Sequence, residues 1–446
     1  MVCGGGVRAH LLIGKTTSGH HQIELACEAC HSKPFGGGGV LQAACLRCHA
    51  EELKQAKDTH PAKKFTDPRN ADRLAKLDAT QCVTCHREHK PEITHAMGVT
   101  LPTDYCALCH SDIGTERPSH AGLAFDTCAS AGCHNYHDNR ALYEDFLTKH
   151  THDPDLKPKA IAKLRVAVNE PAEKRKPLGR ADADAPPAKL GDAAAVEAWL
   201  ATEHAKAGVN CSGCHAPKKA EAASPEPIWI EKPGPAVCAT CHAHEVKTFA
   251  QGKHGMRLAA NLASSRAGLL GLFKEQPLAP MRPELARLPM SKAAHGHDLG
   301  CTSCHGAHKF DAVTAQVDGC LGCHADEHSK AYLGSPHHKL WQAERAGSGP
   351  QGSGVSCATC HMPRQPIEDE NGLDRVLANH NQNDNLRPSE KMIRSVCADC
   401  HGLGFTLDSL ADAALVRRSF SGRATVRVQS IDWALKRLQA QRRATQ

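Results

Sequence analysis

The chain has 446 residues, 54 Lys and Arg against 48 Asp and Glu, a formal charge of +6 and a mean hydropathy of −0.44. Only 4% of its residues are aromatic, too few for the apolar cores that two or three ordinary domains of this length require, and no run of about 18 apolar residues is present to span a membrane. Against that thin apolar content stand 23 cysteines and 31 histidines, and their spacing carries the argument.

Cys301-Thr302-Ser303-Cys304-His305 is one of ten copies of Cys-x-x-Cys-His. The copies pair Cys27 with Cys30, Cys45 with Cys48, Cys82 with Cys85, Cys106 with Cys109, Cys211 with Cys214, Cys238 with Cys241, Cys301 with Cys304, Cys320 with Cys323, Cys357 with Cys360 and Cys397 with Cys400. They close on His31, His49, His86, His110, His215, His242, His305, His324, His361 and His401. Between the fourth and fifth lies a variant, Cys128 to Cys133 followed by His134, with four residues between the thiols; its longer spacer can loop out while the Cys-His ending stays intact. In chain order these are sites I to XI, the variant being V.

Cys-x-x-Cys-His is the attachment signal of c-type haem: two thiols form thioethers with the porphyrin vinyl groups and the adjacent imidazole binds the iron. A zinc knuckle, a disulfide or a redox dithiol has no need of His after the second Cys every time. Eleven covalent haems use 22 of the 23 cysteines and leave Cys3, so no thiols remain for a disulfide framework. Haem macrocycles supply the missing apolar bulk, and their propionates turn the holoprotein's charge negative, which argues against nucleic-acid binding.

Along the chain, Met1 to His21 lacks the apolar centre of a secretory signal. Covalent haem attachment takes place outside the cytoplasm, so a leader is expected to have been removed or the start truncated. Cys3 before three glycines reads as a free cysteine in a tail, the alternative being a lipidated one. Sites I to V fill residues 1–152, expected as a pentahaem lobe. Residues 153–203 carry no site, and their Pro, Ala and Lys content up to about residue 195 reads as an extended linker, followed by a helix over 191–206 with Val196, Trp199 and Leu200 on one side. Sites VI to XI fill 204–446, a hexahaem lobe. Within it Gly255 to Ala294 is expected to open as helix through Leu258, Leu262, Leu269, Leu270, Leu272 and Phe273 before its prolines interrupt it. Two C-terminal helices follow, one with Leu403, Leu407, Leu410 and Ala414 as its stripe and one with Ile431, Leu435 and Leu438 beside a basic face. The fold class is mainly α with much irregular loop, a haem-stack core in two lobes and little or no β-sheet.

The sixth iron position decides between electron transfer and catalysis. Twenty histidines lie outside the motifs, nearly two per haem. His89, His137 and His308 sit three residues past a motif His; His60, His150, His254 and the pair His337/His338 close expected helices after one; His20/His21, His95, His120, His204 and His295 precede a motif, and His380 does so at longer range. These are the expected second ligands, with His21 and His337 standing for their pairs, whereas His10, His152, His244, His297 and His328 read as ordinary imidazoles. Methionines are few, so bis-His, low-potential haems are expected.

With His20-His21 ahead of Cys27 and short repeats, the first lobe resembles class III-type cytochromes c. In the second, Phe249-x-x-Gly252-x-His254, Gly354-Val355-Ser356-Cys357 through His361-Met362-Pro363, and Ser395-Val396-Cys397 through His401 resemble the hydroxylamine oxidoreductase and pentahaem nitrite reductase superfamily, which contains enzymes and pure carriers. The chain lacks the Cys-x-x-Cys-Lys of nitrite reductases and has no Tyr after His401 for the hydroxylamine oxidoreductase cross-link. The expectation is an undecahaem electron carrier without catalytic residues, periplasmic or at the cell surface, exchanging electrons with redox proteins. The alternatives are a reductase or oxidase of a small nitrogen or sulfur compound with one five-coordinate haem, and a subunit of a homo-oligomeric or filamentous cytochrome.

Overall fold

The computed structural model describes residues 14–24, 26–33, 37–128, 134–138, 144–167, 176–216, 229–259, 262–264, 276–368 and 374–444. Cys3, His10 and Cys133 lie outside the described residues. The fold is mainly α, built of short helices and 3-10 turns with long loops between. Closely spaced motifs leave little chain for longer elements. The described β-structure is two antiparallel pairs, a two-residue one at 263–264 and 276–277 and a hairpin of Arg364–Glu368 with Asp374–Ala378.

Contacts divide the chain into two compact units, one of residues 1–160, 257–279 and 383–446, the other of 161–256 and 280–382. Sites I to V and XI belong to the first and VI to X to the second. Chain segments are therefore shared out differently from the motif-based boundaries at 152 and 203, which divide the sequence by haem-site position.

In the first unit the largest side-chain cluster is Leu147, Ile393, Leu403, Leu407, Ile431 and Ala434, edged by Phe146, Leu410, Val428, Trp433 and Leu435. It joins the Glu144–His150, Leu403–Ala411 and Gln429–Ala444 helices. The expected stripe of Leu403, Leu407 and Leu410 is this face, and Ile431 and Leu435 meet it from the last helix. The helix after residue 402 breaks at Asp412, whose carboxylate takes the backbone N–H groups of Ala414 and Leu415 and so starts a second helix, Ala413–Arg417.

In the second unit Val196, Trp199 and Ala205 form one small cluster and Val317, Tyr332 and Trp341 another. The helix expected over 191–206 is two, Ala193–Leu200 and Glu203–Lys206, divided by Thr202, whose hydroxyl caps the second by accepting from Ala205 N–H. The helix expected after Gly255 is not found among the described residues: Met256–Leu258 is a 3-10 turn and Ala263–Ser264 a strand. Leu269, Leu270, Leu272 and Phe273 lie outside them.

Candidate haem-ligation sites

Cys-x-x-Cys folds as one helical turn at most sites, as in Cys27–Cys30, Cys82–Cys85, Cys211–His215, Cys301–His305 and Cys357–His361, and inside the long Gly38–Ala56 helix at site II. A spacing of three puts both thiols on one face of such a turn. The motif His closes it, its backbone N–H donating to the first cysteine's carbonyl at 2.8 Å in sites I, VII, IX and XI, 2.9 Å in III and 3.0 Å in IV. Local caps start several turns: Asn210 accepts from Cys211 N–H at 2.8 Å, and Ser356 and Thr359 cap reciprocally before Cys357.

Ten motif imidazoles each face a second imidazole. In the first unit the pairs are His31 with His89 at 6.5 Å between ring centroids, His49 with His20 at 5.9 Å, His86 with His137 at 6.4 Å, His110 with His60 at 6.2 Å and His134 with His120 at 6.1 Å. In the second they are His215 with His308 at 5.8 Å, His242 with His204 at 5.9 Å, His305 with His380 at 6.3 Å, His324 with His254 at 6.0 Å and His361 with His328 at 6.1 Å. A metal-bound imidazole nitrogen sits about 2 Å from the metal and about 1.1 Å from its own ring centre, so two imidazoles on opposite sides of one iron hold their centroids about 6 Å apart. The observed separations fit that span.

In eight of these rings Nδ1 is engaged by a hydrogen-bond acceptor, which leaves Nε2 free to ligate. Nδ1–H donates to a backbone carbonyl in His60 (Tyr136 O, 2.6 Å), His86 (Gly98 O, 3.1 Å), His89 (Gly14 O, 3.0 Å), His215 (Ile230 O, 2.6 Å) and His380 (Ala378 O, 3.1 Å). In His20, His49 and His137 the acceptor is a carboxylate: Glu88 at 2.6 Å, Glu52 at 3.2 Å and Asp58 at 3.1 Å. Burial tends to raise Glu88, but hydrogen bonds from His20 and from the Thr17 backbone and hydroxyl outweigh it and hold the carboxyl at about 2. Burial lowers His254 and His361 to about 4, aided by neighbouring imidazoles, so both rings are neutral, as metal ligands must be. Gly252 admits the backbone of residues 380–382, because a Cβ there would lie 2.7 Å from His380 O and Gln382 Oε1; the loop before His254 and the loop carrying His380 thereby pack together.

Most expected second ligands fall into these pairs: His60, His89, His120, His137, His204, His254, His308 and His380. Of the two adjacent histidines before site I, it is His20 and not His21 that faces His49, while His21 Nδ1–H donates to Ser18 O at 3.1 Å. His361 faces His328, not His337. His328 was missed because it lies only four residues past His324, on the Glu327–Tyr332 helix, and so reads as part of site IX's surroundings. The signal available was its position as the first histidine between motifs IX and X. His95 and His295 are exposed and face no motif imidazole among the described residues.

At site XI the loop after His150 wraps the motif. His401 Nδ1–H donates to Asp155 O at 2.8 Å, Lys157 N–H to Cys400 O at 2.8 Å and Lys157 Nζ to Ala398 O at 2.6 Å. A Cβ on Gly402 would stand 2.6 Å from the carbonyl oxygens of Asp153 and Pro154. His150 Nδ1–H donates to Asp153 at 3.1 Å, and the His401 ring stacks on Phe405 at 4.7 Å.

The donor set fits haem rather than a bare ion. Among the described residues no group of three or more His, Cys, Asp or Glu could enclose a metal; ten of the eleven sites present two imidazoles, the complement to a ring that supplies four equatorial nitrogens. Tyr136 Oη and His244 Nε2 are buried with no hydrogen-bond partner in the protein, polar atoms of the kind a cofactor's polar groups satisfy.

Paired thiols backed by an imidazole, repeated on short helical turns, define a multihaem c-type cytochrome: a protein that holds haem c covalently and transfers electrons. Residues 19–111, from just before His20 to just past His110, match the family model described as cytochrome c3. No curated protein and no solved structure matches the chain. Among the described residues no helix is long and apolar enough to cross a membrane.

Proposed function

We propose that the protein is an undecahaem electron carrier of the periplasm or cell exterior, passing single electrons between redox-protein partners along closely spaced haems. The ten opposed imidazole pairs carry this reading, because an iron with both axial positions filled by protein exchanges electrons without binding substrate. Each haem, when bound, supplies a reversible one-electron Fe(III)/Fe(II) couple. The chain's own residues hold it by two thiols, place Nε2 atoms on both sides and set imidazole basicity through the Nδ1 acceptors. For site XI we assign His150 as the second ligand, since the loop it opens wraps the motif and its Nδ1 is engaged by Asp153. The stretches of the second lobe that resemble the hydroxylamine oxidoreductase and nitrite reductase superfamily are compatible with this reading, because that superfamily includes carriers.

A pyridine haemochrome count of the purified holoprotein, with EPR and optical spectra before and after carbon monoxide and nitrite, tests it. Eleven haems, all low-spin and indifferent to added ligand, are expected. A high-spin haem that binds either ligand would overturn the carrier reading in favour of a reductase or oxidase.

A further inference from the structure

Resting on the haem reading above, we propose that sites I to V and sites VI to X are two copies of one five-haem module, so that the chain from His204 to His380 repeats the circuit that runs from His20 to His137.

The pairing order is the first observation. In the first unit, site I takes the histidine following motif III (His89), site II the one preceding motif I (His20), site III the one following motif V (His137), site IV the one between motifs II and III (His60), and site V the one between motifs IV and V (His120). In the second unit the observed partners obey the same rule: His308 for VI, His204 for VII, His380 for VIII, His254 for IX and His328 for X. All five links correspond. Five histidines can be distributed over five sites in on the order of a hundred ways, so agreement at every link is not expected of two unrelated lobes.

Local geometry agrees independently. His20 stands seven residues before Cys27 and His204 seven before Cys211. His89 and His308 each stand three past their motif His and both adopt the left-handed region, φ 62° and 60°, a conformation that costs a non-glycine residue energy and persists only where the surroundings demand it.

The succession of motifs also recurs, because the same cysteines of successive sites lie near one another in both units: Cys30 near Cys48 as Cys214 near Cys241, Cys45 near Cys82 as Cys238 near Cys301, Cys85 near Cys106 as Cys304 near Cys320, and Cys106 near Cys128 as Cys320 near Cys357.

Each module therefore strings its haems in chain order, I-II-III-IV-V and VI-VII-VIII-IX-X, and site XI is an addition outside both. The interval between Cys45 and Cys82 widens in the second copy to that between Cys238 and Cys301, an insertion that hides the repeat from a sequence comparison keyed to motif spacing. Residues 19–111 hold sites I to IV, and their counterpart is the stretch from His204 to His324.

Methionine substitutions in the full-length holoprotein test the link that sequence spacing disfavoured. His328→Met is expected to turn one bis-imidazole haem into a methionine-ligated or five-coordinate one, read by near-infrared magnetic circular dichroism, while His337→Met and His338→Met leave the spectrum unchanged. A spectrum altered by none of the three substitutions overturns the repeat, because no histidine between motifs IX and X then serves a haem; eleven low-spin haems in the unmodified protein would still uphold the carrier reading. If His328→Met fails to load its haems, the iron positions in an electron cryo-microscopy map of the unmodified holoprotein decide. Irons I to V superposing in order on VI to X are expected, and a different succession overturns the proposal.

Discussion

Site II differs from the others at the level of single residues, because both of its imidazoles lean on carboxylates: His49 on Glu52 and His20 on Glu88. A carboxylate on Nδ1–H gives the ring imidazolate character and stabilises the ferric iron, whereas a neutral carbonyl does so less. Haem II is accordingly expected to have the lowest potential in the first unit. Glu88→Gln keeps a hydrogen-bond acceptor and removes the charge. It should raise one midpoint potential by on the order of 50 mV, given that one electron and about 1.4 kcal/mol correspond to about 59 mV. Spectropotentiometry reads this, and an unchanged set of midpoint potentials would refute the tuning role. The same scale shows where spacing reaches its limit. His20 and His21 are adjacent, as are His337 and His338, and one residue of difference changes which way a ring points but not how far the chain reaches. His328 is the opposite case: it sits so near motif IX that its facing the imidazole of the next motif is not readable without the fold.

Among the elements, the motif turns were fully legible, since two thiols three apart and a following imidazole need one turn of helix and little else. Capped breaks were less so. A continuous apolar stripe from Leu403 to Ala414 reads as one helix, yet Asp412 divides it by accepting from the N–H groups of Ala414 and Leu415. Its second oxygen accepts from the backbone and hydroxyl of Thr425, at 2.8 and 2.9 Å, which ties down the loop leading to the last helix. These bonds, those from Thr425 foremost, hold the Asp412 carboxyl at about 2. Because that lies below the ordinary aspartate value of about 3.9, Asp412 contributes stability that is complete above about pH 4 and lost as pH falls through about 2. Asp412→Asn should lower the unfolding midpoint at neutral pH, and its deficit against the parent should shrink between pH 4 and 2 in circular dichroism melts. A deficit constant over that range would show that the carboxylate charge has no part in the cap.

At the scale of the molecule, the largest buried side-chain cluster among the described residues holds six residues and the others three, in a chain of 446. Burial at about 25 cal/mol per Å² over so few side chains cannot offset the backbone entropy of long loops. On the proposed reading the covalent haems order the fold, because ten of them join residues from distant parts of the chain through two imidazoles. Protein made in a host without cytochrome c maturation is therefore expected to unfold without a cooperative transition and to be cut rapidly by protease between residues 14 and 138, where the described residues form no large side-chain cluster. A cooperative melt of haem-free protein would mean that the side chains suffice.

The haem-bearing chemistry, the excess of imidazoles and the mainly α, loop-rich class were all present in the sequence, because thioether attachment and axial ligation demand particular residues at particular short spacings. Which imidazole crosses to which motif was decided only by the tertiary structure. The facing imidazole comes from as far away as in the His215 to His308 pair, and over such distances the loops between place a ring by how they pack, through contacts such as Gly252 against His380 and the left-handed turns at His89 and His308. Local spacing carries no record of those contacts, and the correspondence of the two five-site circuits appears only once they are drawn.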